Sequence, residues 1–202
     1  MTGPQTLSTI QTKALMDDLY RQVSVKRSKA RPVRNYLMAS LMLDAGLRVN
    51  ETILLQISDL WLNGEPRHSL LVREYIAKNK SARIIPLSSR IRQAIHLATQ
   101  YLWLEHDFDI DAFAFAGRVP TRPLTARQVQ YIIGQTASKV IGCWVHPHVL
   151  RHTFGTRLMR TCSARIAQDL LGHQYLASTQ IYQHPNEDDK RKAIDSIEKG
   201  EQ

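Results

Sequence analysis

The sequence predicts a mainly α-helical fold with a small three-stranded antiparallel β-sheet, on two observations. Apolar residues recur every three to four positions on both sides of the chain's middle, the spacing of helix faces packed on a core. Between those stretches, residues 60–62, 69–75 and 83–86 read as short strands, separated by the turn-forming segments NGEPRH and AKNKSA. A length of 202 residues suits one domain with a sizeable core.

The elements follow in order. Ser8 or Thr9 can cap a first helix whose face carries Ile10, Ala14, Leu15 and Leu19. The basic segment KRSKARPVR, residues 26–34, breaks it. A second, strongly apolar helix starts around Pro32, with Leu37, Leu41 and Ala45 in register, and Gly46 ends it. A short helix over residues 49–56 leads into the strands. Residues 88–106 return to helical spacing through Ile91, Ile95, Ala98 and Leu102. Thr125 can cap a helix reaching about Val140, and Pro147 suits the first turn of the next. Residues 164–171 and 176–182 read as two shorter helices, and no internal repeat is present.

Charge is the informative total. Lys and Arg number 27 against 18 Asp and Glu, a net charge of +9. Such a surplus points to a polyanionic partner, usually nucleic acid; the plainer alternative is a basic surface with no special partner. Lys26, Arg27, Lys29, Arg31 and Arg34 cluster in one segment without an acid, whereas acids gather at 105–111 and 187–189. By itself a basic run of this kind is as much a solvated linker as a binding site. No apolar run approaches the ~20 residues that span a bilayer. The first residues lack the charged and apolar regions of a secretory signal. Cys143 and Cys162 have no metal-type spacing, which suits a reducing cytoplasm.

Four segments combine reactive side chains with structure that would hold them. In GLRVNE, residues 46–51, Arg48 follows a helix-ending glycine, and its planar fork suits two phosphate oxygens. Glu51 can pair with it, although a surface Arg–Glu pair would look the same. In AKNKSARIIPL, residues 77–87, Lys78 and Lys80 fall on a hairpin turn and Arg83 opens a strand. Turn lysines are usually solvated, yet one brought against a phosphodiester can protonate a departing oxygen.

The third segment is HPHVLRH, residues 146–152. With a helix starting at Pro147, His148 and Arg151 share a face, His152 points about a quarter turn away, and His146 precedes the helix. His148 and His152 have the spacing of zinc ligands, but the segment holds no acid and Arg151 would repel a cation, so no metal is expected. The fourth is LLGHQYLASTQIYQH, residues 170–184, with His173 after Gly172 and Tyr182 nine residues on. A tyrosine at helical spacing is ordinarily core. Near several cations it becomes a nucleophile, because positive charge favours the phenolate. Two arginines, a lysine, two histidines and a tyrosine are what metal-free phosphoryl transfer requires.

These boxes, in this order, resemble the tyrosine recombinases: phage integrases, Xer-type resolvases, integron and fimbrial-switch recombinases. GLRVNE resembles the family's first-arginine box, with Arg48 as that arginine and Glu51 as its acidic companion. AKNKSARIIPL is similar to the family's β-hairpin signature, and counting back from Arg83 puts the catalytic lysine on Lys78. HVLRHTFGT matches the His-x-x-Arg box through His148 and Arg151, and LGHQYLASTQIYQH resembles the closing motif with His173 and Tyr182.

The resemblance spans about residues 8–184 and implies the recombinase catalytic-domain fold. It also implies site-specific strand exchange (integration, excision, inversion or resolution) without metal, ATP or cofactor. In that chemistry Tyr182 attacks a DNA phosphate, giving a 3′-phosphotyrosyl bond and a 5′-hydroxyl. Arg48 and Arg151 hold the non-bridging oxygens, Lys78 protonates the leaving oxygen, His148 accepts the tyrosine proton and His173 hydrogen-bonds the phosphate. His152 has a supporting, structural role. Double-stranded DNA is the implied partner, met by Lys26, Arg27, Lys29, Arg31, Arg34 and Arg83, with a tetramer in the synapse.

Two departures from the family pattern matter. Ala77 and Asn79 replace both glycines of the lysine box, which makes Lys80 an alternative to Lys78. Residues 1–186 read as a catalytic domain without a separate N-terminal clamp, as in the short fimbrial-switch recombinases. Salt-sensitive binding and help from an accessory DNA-bending protein are then expected. Residues 187–202 form a tail that can present Ala193, Ile194 and Ile197 on one helix face, towards a neighbouring subunit or towards its own domain. The expected setting is cytoplasmic, on a mobile element or nucleoid, with no membrane. The rival readings are a catalytically silent DNA-binding regulator and a type IB topoisomerase.

Overall fold

Helix α2 (Ala30–Asp44) is the centre of the computed structural model, which describes residues 6–77, 81–103, 109–117 and 121–172. Leu37, Met38, Ala39, Leu41, Met42 and Leu43 are buried on all its sides. A helix apolar all round must be covered all round. Helices α1 (Thr9–Val25), α5 (Ser89–Ala98) and α7 (Pro147–Met159) provide the cover. Each large side chain so removed from water contributes about 2 kcal/mol.

Local signals start and stop these helices where the sequence places them. Ser8 and Gln11 form a reciprocal cap at the start of α1, with the Gln11 amide donating to Ser8 Oγ at 3.2 Å. Thr125 and Gln128 do the same for α6 (Ala126–Ile141). Pro147 occupies the first turn of α7, where a missing N–H costs nothing. α8 (Ala164–Leu171) starts at Ser163 and closes on Gly172 in the left-handed conformation. The expected helix over 176–182 lies outside the described residues.

The region of strands departs from expectation. Instead of one three-stranded sheet there are, among the described residues, two separate antiparallel pairs. β1 (Trp61–Leu62) turns straight back onto β2 (Glu65–Pro66), and β3 (Ser69–Val72) pairs with β4 (Arg83–Pro86). The turn explains the first pair: Asn63 and Gly64 both have positive φ, 53° and 83°, as a two-residue type I′ hairpin requires. β3 also stops at Val72, short of residue 75, because the Arg73 carbonyl accepts the Ile76 and Ala77 amides in a turn.

Two further differences concern helices. Residues 49–56 divide into α3 (Val49–Ile53) and the single-turn α4 (Ile57–Leu60). α5 passes at Thr99 into a π-helical turn, Thr99–Trp103, where the Thr99 hydroxyl donates to the Ile95 carbonyl and competes with the helix ladder. No helix of the described residues is long and apolar enough to cross a membrane.

Gly46, at the end of α2, is where two helices meet. Its φ is +64°, and a Cβ there would lie 2.3 Å from the Phe154 ring of α7. Gly46→Ala is therefore expected to lower stability by about 2–4 kcal/mol, from combined backbone strain and overpacking, read as a fall in the urea midpoint.

Candidate active site

Glu51 is 1% exposed, and a carboxylate removed from water must be paired. Three arginines pair it. Arg48 donates twice, its backbone N–H to Oε2 at 2.9 Å and its guanidinium to Oε1 at 2.8 Å. Arg83 forks onto both oxygens, at 3.1 and 2.7 Å. Arg151 stands at ion-pair distance, 3.9 Å from Oε2. Three guanidiniums against one carboxylate leave a surplus of two positive charges around a buried point.

The backbone ends that hold these arginines come from elsewhere in the chain. Arg151 is 4% exposed and donates to the Gly46 carbonyl and, at 2.6 Å, to the Leu171 carbonyl. Arg83 Nε donates to the Leu170 carbonyl at 3.1 Å. The last carbonyls of α8 lack partners within their own helix, so guanidiniums placed there satisfy them and complement the helix dipole. Gly172 follows, and a Cβ on it would press on the Arg83 side chain at 3.0 Å. Gly46, through its carbonyl, and Gly172, through the room it leaves for Arg83, thus both serve the cluster.

α7 presents the rest. His148 is exposed one helical turn before buried Arg151, while His152 is half-buried. Burial, then the neighbouring His148 and Arg151, push the His152 pKa down, which favours its neutral form. His146 lies outside the helix with Nδ1 2.6 Å from the Gln130 amide and its ring edge-on to Trp144. Among the described residues no group of three or more His, Cys, Asp or Glu could hold a metal ion.

One expectation is corrected. Arg83 was placed among the DNA-contacting cations, but it is 6% exposed on the inward face of β4, fully engaged with Glu51 and Leu170. Lys26, Arg27 and Arg31 are exposed. Lys29 lies over the Tyr101 ring at 4.7 Å, and half-buried Arg34 donates to Asn35 at 3.3 Å. Arg31, Arg34 and Arg127 line one cavity of about 1120 Å³ beside α6. Lys78, Lys80, His173 and Tyr182 lie outside the described residues. Arg48, Glu51 and Arg151 are brought together, with His148 one turn before Arg151 on α7. Arg127 is a cation of the cavity lined by Arg31 and Arg34 that the sequence reading did not single out.

With this geometry in hand, kinship can be weighed. The model of the phage integrase family matches residues 5–189. The chain belongs to the phage integrase family. Among its relatives in this family, the tyrosine recombinase XerC of Azotobacter vinelandii is 33% identical over 185 residues, covering 90% of this chain and 56% of that protein. XerC of Bacillus licheniformis is 37% identical over 164 residues, covering 79% and 52%. The XerA recombinase crystal structure superposes with a TM-score of 0.74 at 29% identity, over 97% of this chain and 66% of that one. A XerH recombinase in a post-cleavage complex with its difH substrate shares the fold, with a TM-score of 0.73 at 21% identity, over 100% of this chain and 54% of that one. The chain spans about half the length of the curated relatives it matches.

The charge balance gives a pH prediction. Burial alone would raise the Glu51 carboxyl, but the hydrogen bonds and charge of Arg83, the Arg48 amide and the charge of Arg151 outweigh it and hold the pKa at about 2, against 4.5. A depressed carboxyl stabilises the fold above its unfolded pKa and loses that contribution as pH falls. Wild type should therefore exceed Glu51→Gln by about 3–5 kcal/mol near neutrality. About 3 kcal/mol of that gap should vanish as pH falls from 4.5 towards 2, measured by urea unfolding at successive pH values.

Proposed function

We propose that this chain is a site-specific DNA recombinase that cleaves and rejoins strands through a 3′-phosphotyrosyl intermediate. The observation that carries the reading is the arginine cluster: Arg48 and Arg151, from boxes far apart in sequence, share one buried carboxylate and an excess of positive charge. An excess of that kind suits a phosphate whose non-bridging oxygens gain charge in the transition state. Family membership and XerC relatives supply independent support.

In this reading Tyr182 Oη attacks phosphorus, and the bond to the 5′-oxygen breaks. Lys78, or Lys80 in its place, gives that oxygen a proton, and His148 takes the proton of Tyr182. Arg48 and Arg151 hold the two non-bridging oxygens, with His173 as a further donor. The 5′-hydroxyl of a partner strand then displaces the tyrosine, so one phosphodiester replaces another and no energy source is consumed. Duplex DNA lies against the segment bearing Lys26, Arg27, Lys29, Arg31 and Arg34. A tetramer joins two sites, with an accessory bending protein where binding by one subunit is weak, and the work is done in the cytoplasm.

A nicked suicide duplex carrying the inverted repeats that flank the gene tests this. Wild type should form a covalent adduct that survives denaturation and chelator. Tyr182→Phe should bind and form none. Arg151→Ala should slow adduct formation by about 100-fold or more, and affinity should fall steeply with salt. Binding without any wild-type adduct, or an adduct that persists in Tyr182→Phe, would refute the assignment.

A further inference from the structure

Arg83 has the least exposed side chain of the three arginines in the cluster. Its side chain is 3% exposed and faces inward from β4. All three guanidinium nitrogens donate inside the protein, two to Glu51 and Nε to Leu170. With every guanidinium nitrogen committed to a protein acceptor, Arg83 acts on Glu51. Left unneutralised, Glu51 would cancel one of the two positive charges that Arg48 and Arg151 bring. Paired in a fork with Arg83, the carboxylate still orients Arg48 and Arg151 and subtracts nothing from them.

We propose that Arg83 is a positioning residue for strand cleavage: it neutralises Glu51, so that Arg48 and Arg151 keep both their charges for the phosphate, and it ties that carboxylate to the end of α8. The inference rests on the recombinase reading and deepens it by one residue. Its second half follows from the Leu170 bond and the close approach of Gly172, which set the Arg83 side chain against the end of α8. The depressed Glu51 pKa, to which Arg83 is the leading contributor, agrees with this role.

Single-turnover cleavage of the same suicide duplex, with binding followed by fluorescence anisotropy, tests the proposal. Arg83→Gln should bind within about twofold of wild type yet form adduct about 100-fold more slowly. Arg83→Lys, which keeps the charge, should recover to within about tenfold of wild type. Adding Glu51→Gln to Arg83→Gln should raise the rate at least about tenfold over Arg83→Gln, because the uncompensated charge is gone. A merely structural Arg83 would make those two losses accumulate, and that result overturns the proposal. So does a wild-type rate in Arg83→Gln, or Arg83→Lys as slow as Arg83→Gln. If Arg83→Gln does not fold, the double variant with Glu51→Gln, which buries no unpaired charge, decides: it must cleave within about tenfold of Glu51→Gln alone, and a larger further loss overturns the role. A wild type that binds without forming adduct removes the recombinase reading and this inference together. A wild-type adduct with Arg83→Gln unaffected removes this inference by itself.

Discussion

A single carboxylate removed from water organises the molecule's functional side. Glu51, 1% exposed, could not remain ionised without cations of its own, and the three that serve it come from the N-cap of α3, from β4 and from α7. Removing one partner of such a group leaves an unpaired buried charge, a cost of about 3–5 kcal/mol. The cluster therefore holds its geometry by the same electrostatics that would act on a phosphate. Positive charge exceeds negative by two, which is more than Glu51 needs and about what a phosphodiester passing through its transition state can use.

The guanidiniums also complete the fold. Helix ends carry carbonyls with no partner in their own helix, and α8 ends inside the protein. Arg83 and Arg151 donate to its last two carbonyls, and Arg151 reaches the Gly46 carbonyl beyond α2 as well. Stability and site geometry thus share the same bonds. Glycine is needed at both junctions for a steric reason: Phe154 fills the space beside Gly46, and Arg83 fills the space beside Gly172.

Much of this was legible in the residues. Reciprocal caps at Ser8 and Thr125, Pro147 in a first turn and Gly46 after an apolar helix are local effects, and the helices begin and end at or within a few residues of them. The strands were harder. Asn63–Gly64 is a strong hairpin signal that turns β1 back at once, and giving the whole NGEPRH segment to a loop produced a three-stranded sheet where two pairs exist. Arg83 was misread for a related reason. Alternation along β3 and β4 should separate inward from outward residues, but Leu71 and Ile84 on the outer face are as apolar as Leu70 and Ile85 on the inner one. With both faces apolar, pattern could not say that Arg83 points inward.

The chain by itself picked out the residues proposed for the chemistry. Arg48, His148 and Arg151 stand in boxes whose order and spacing are specific, and their helical or loop settings follow from neighbouring residues within a turn or two. Tertiary structure decided how those residues divide the work. Whether an arginine faces a phosphate or a carboxylate depends on burial and on contacts across dozens of residues, which no local spacing encodes. That is why a surface Arg–Glu pair and an acidic companion of Arg48 read alike at Glu51, and why Arg83 was grouped with the DNA contacts. In the folded protein Glu51 and Arg83 form an enclosed pair that Arg48 and Arg151 also meet.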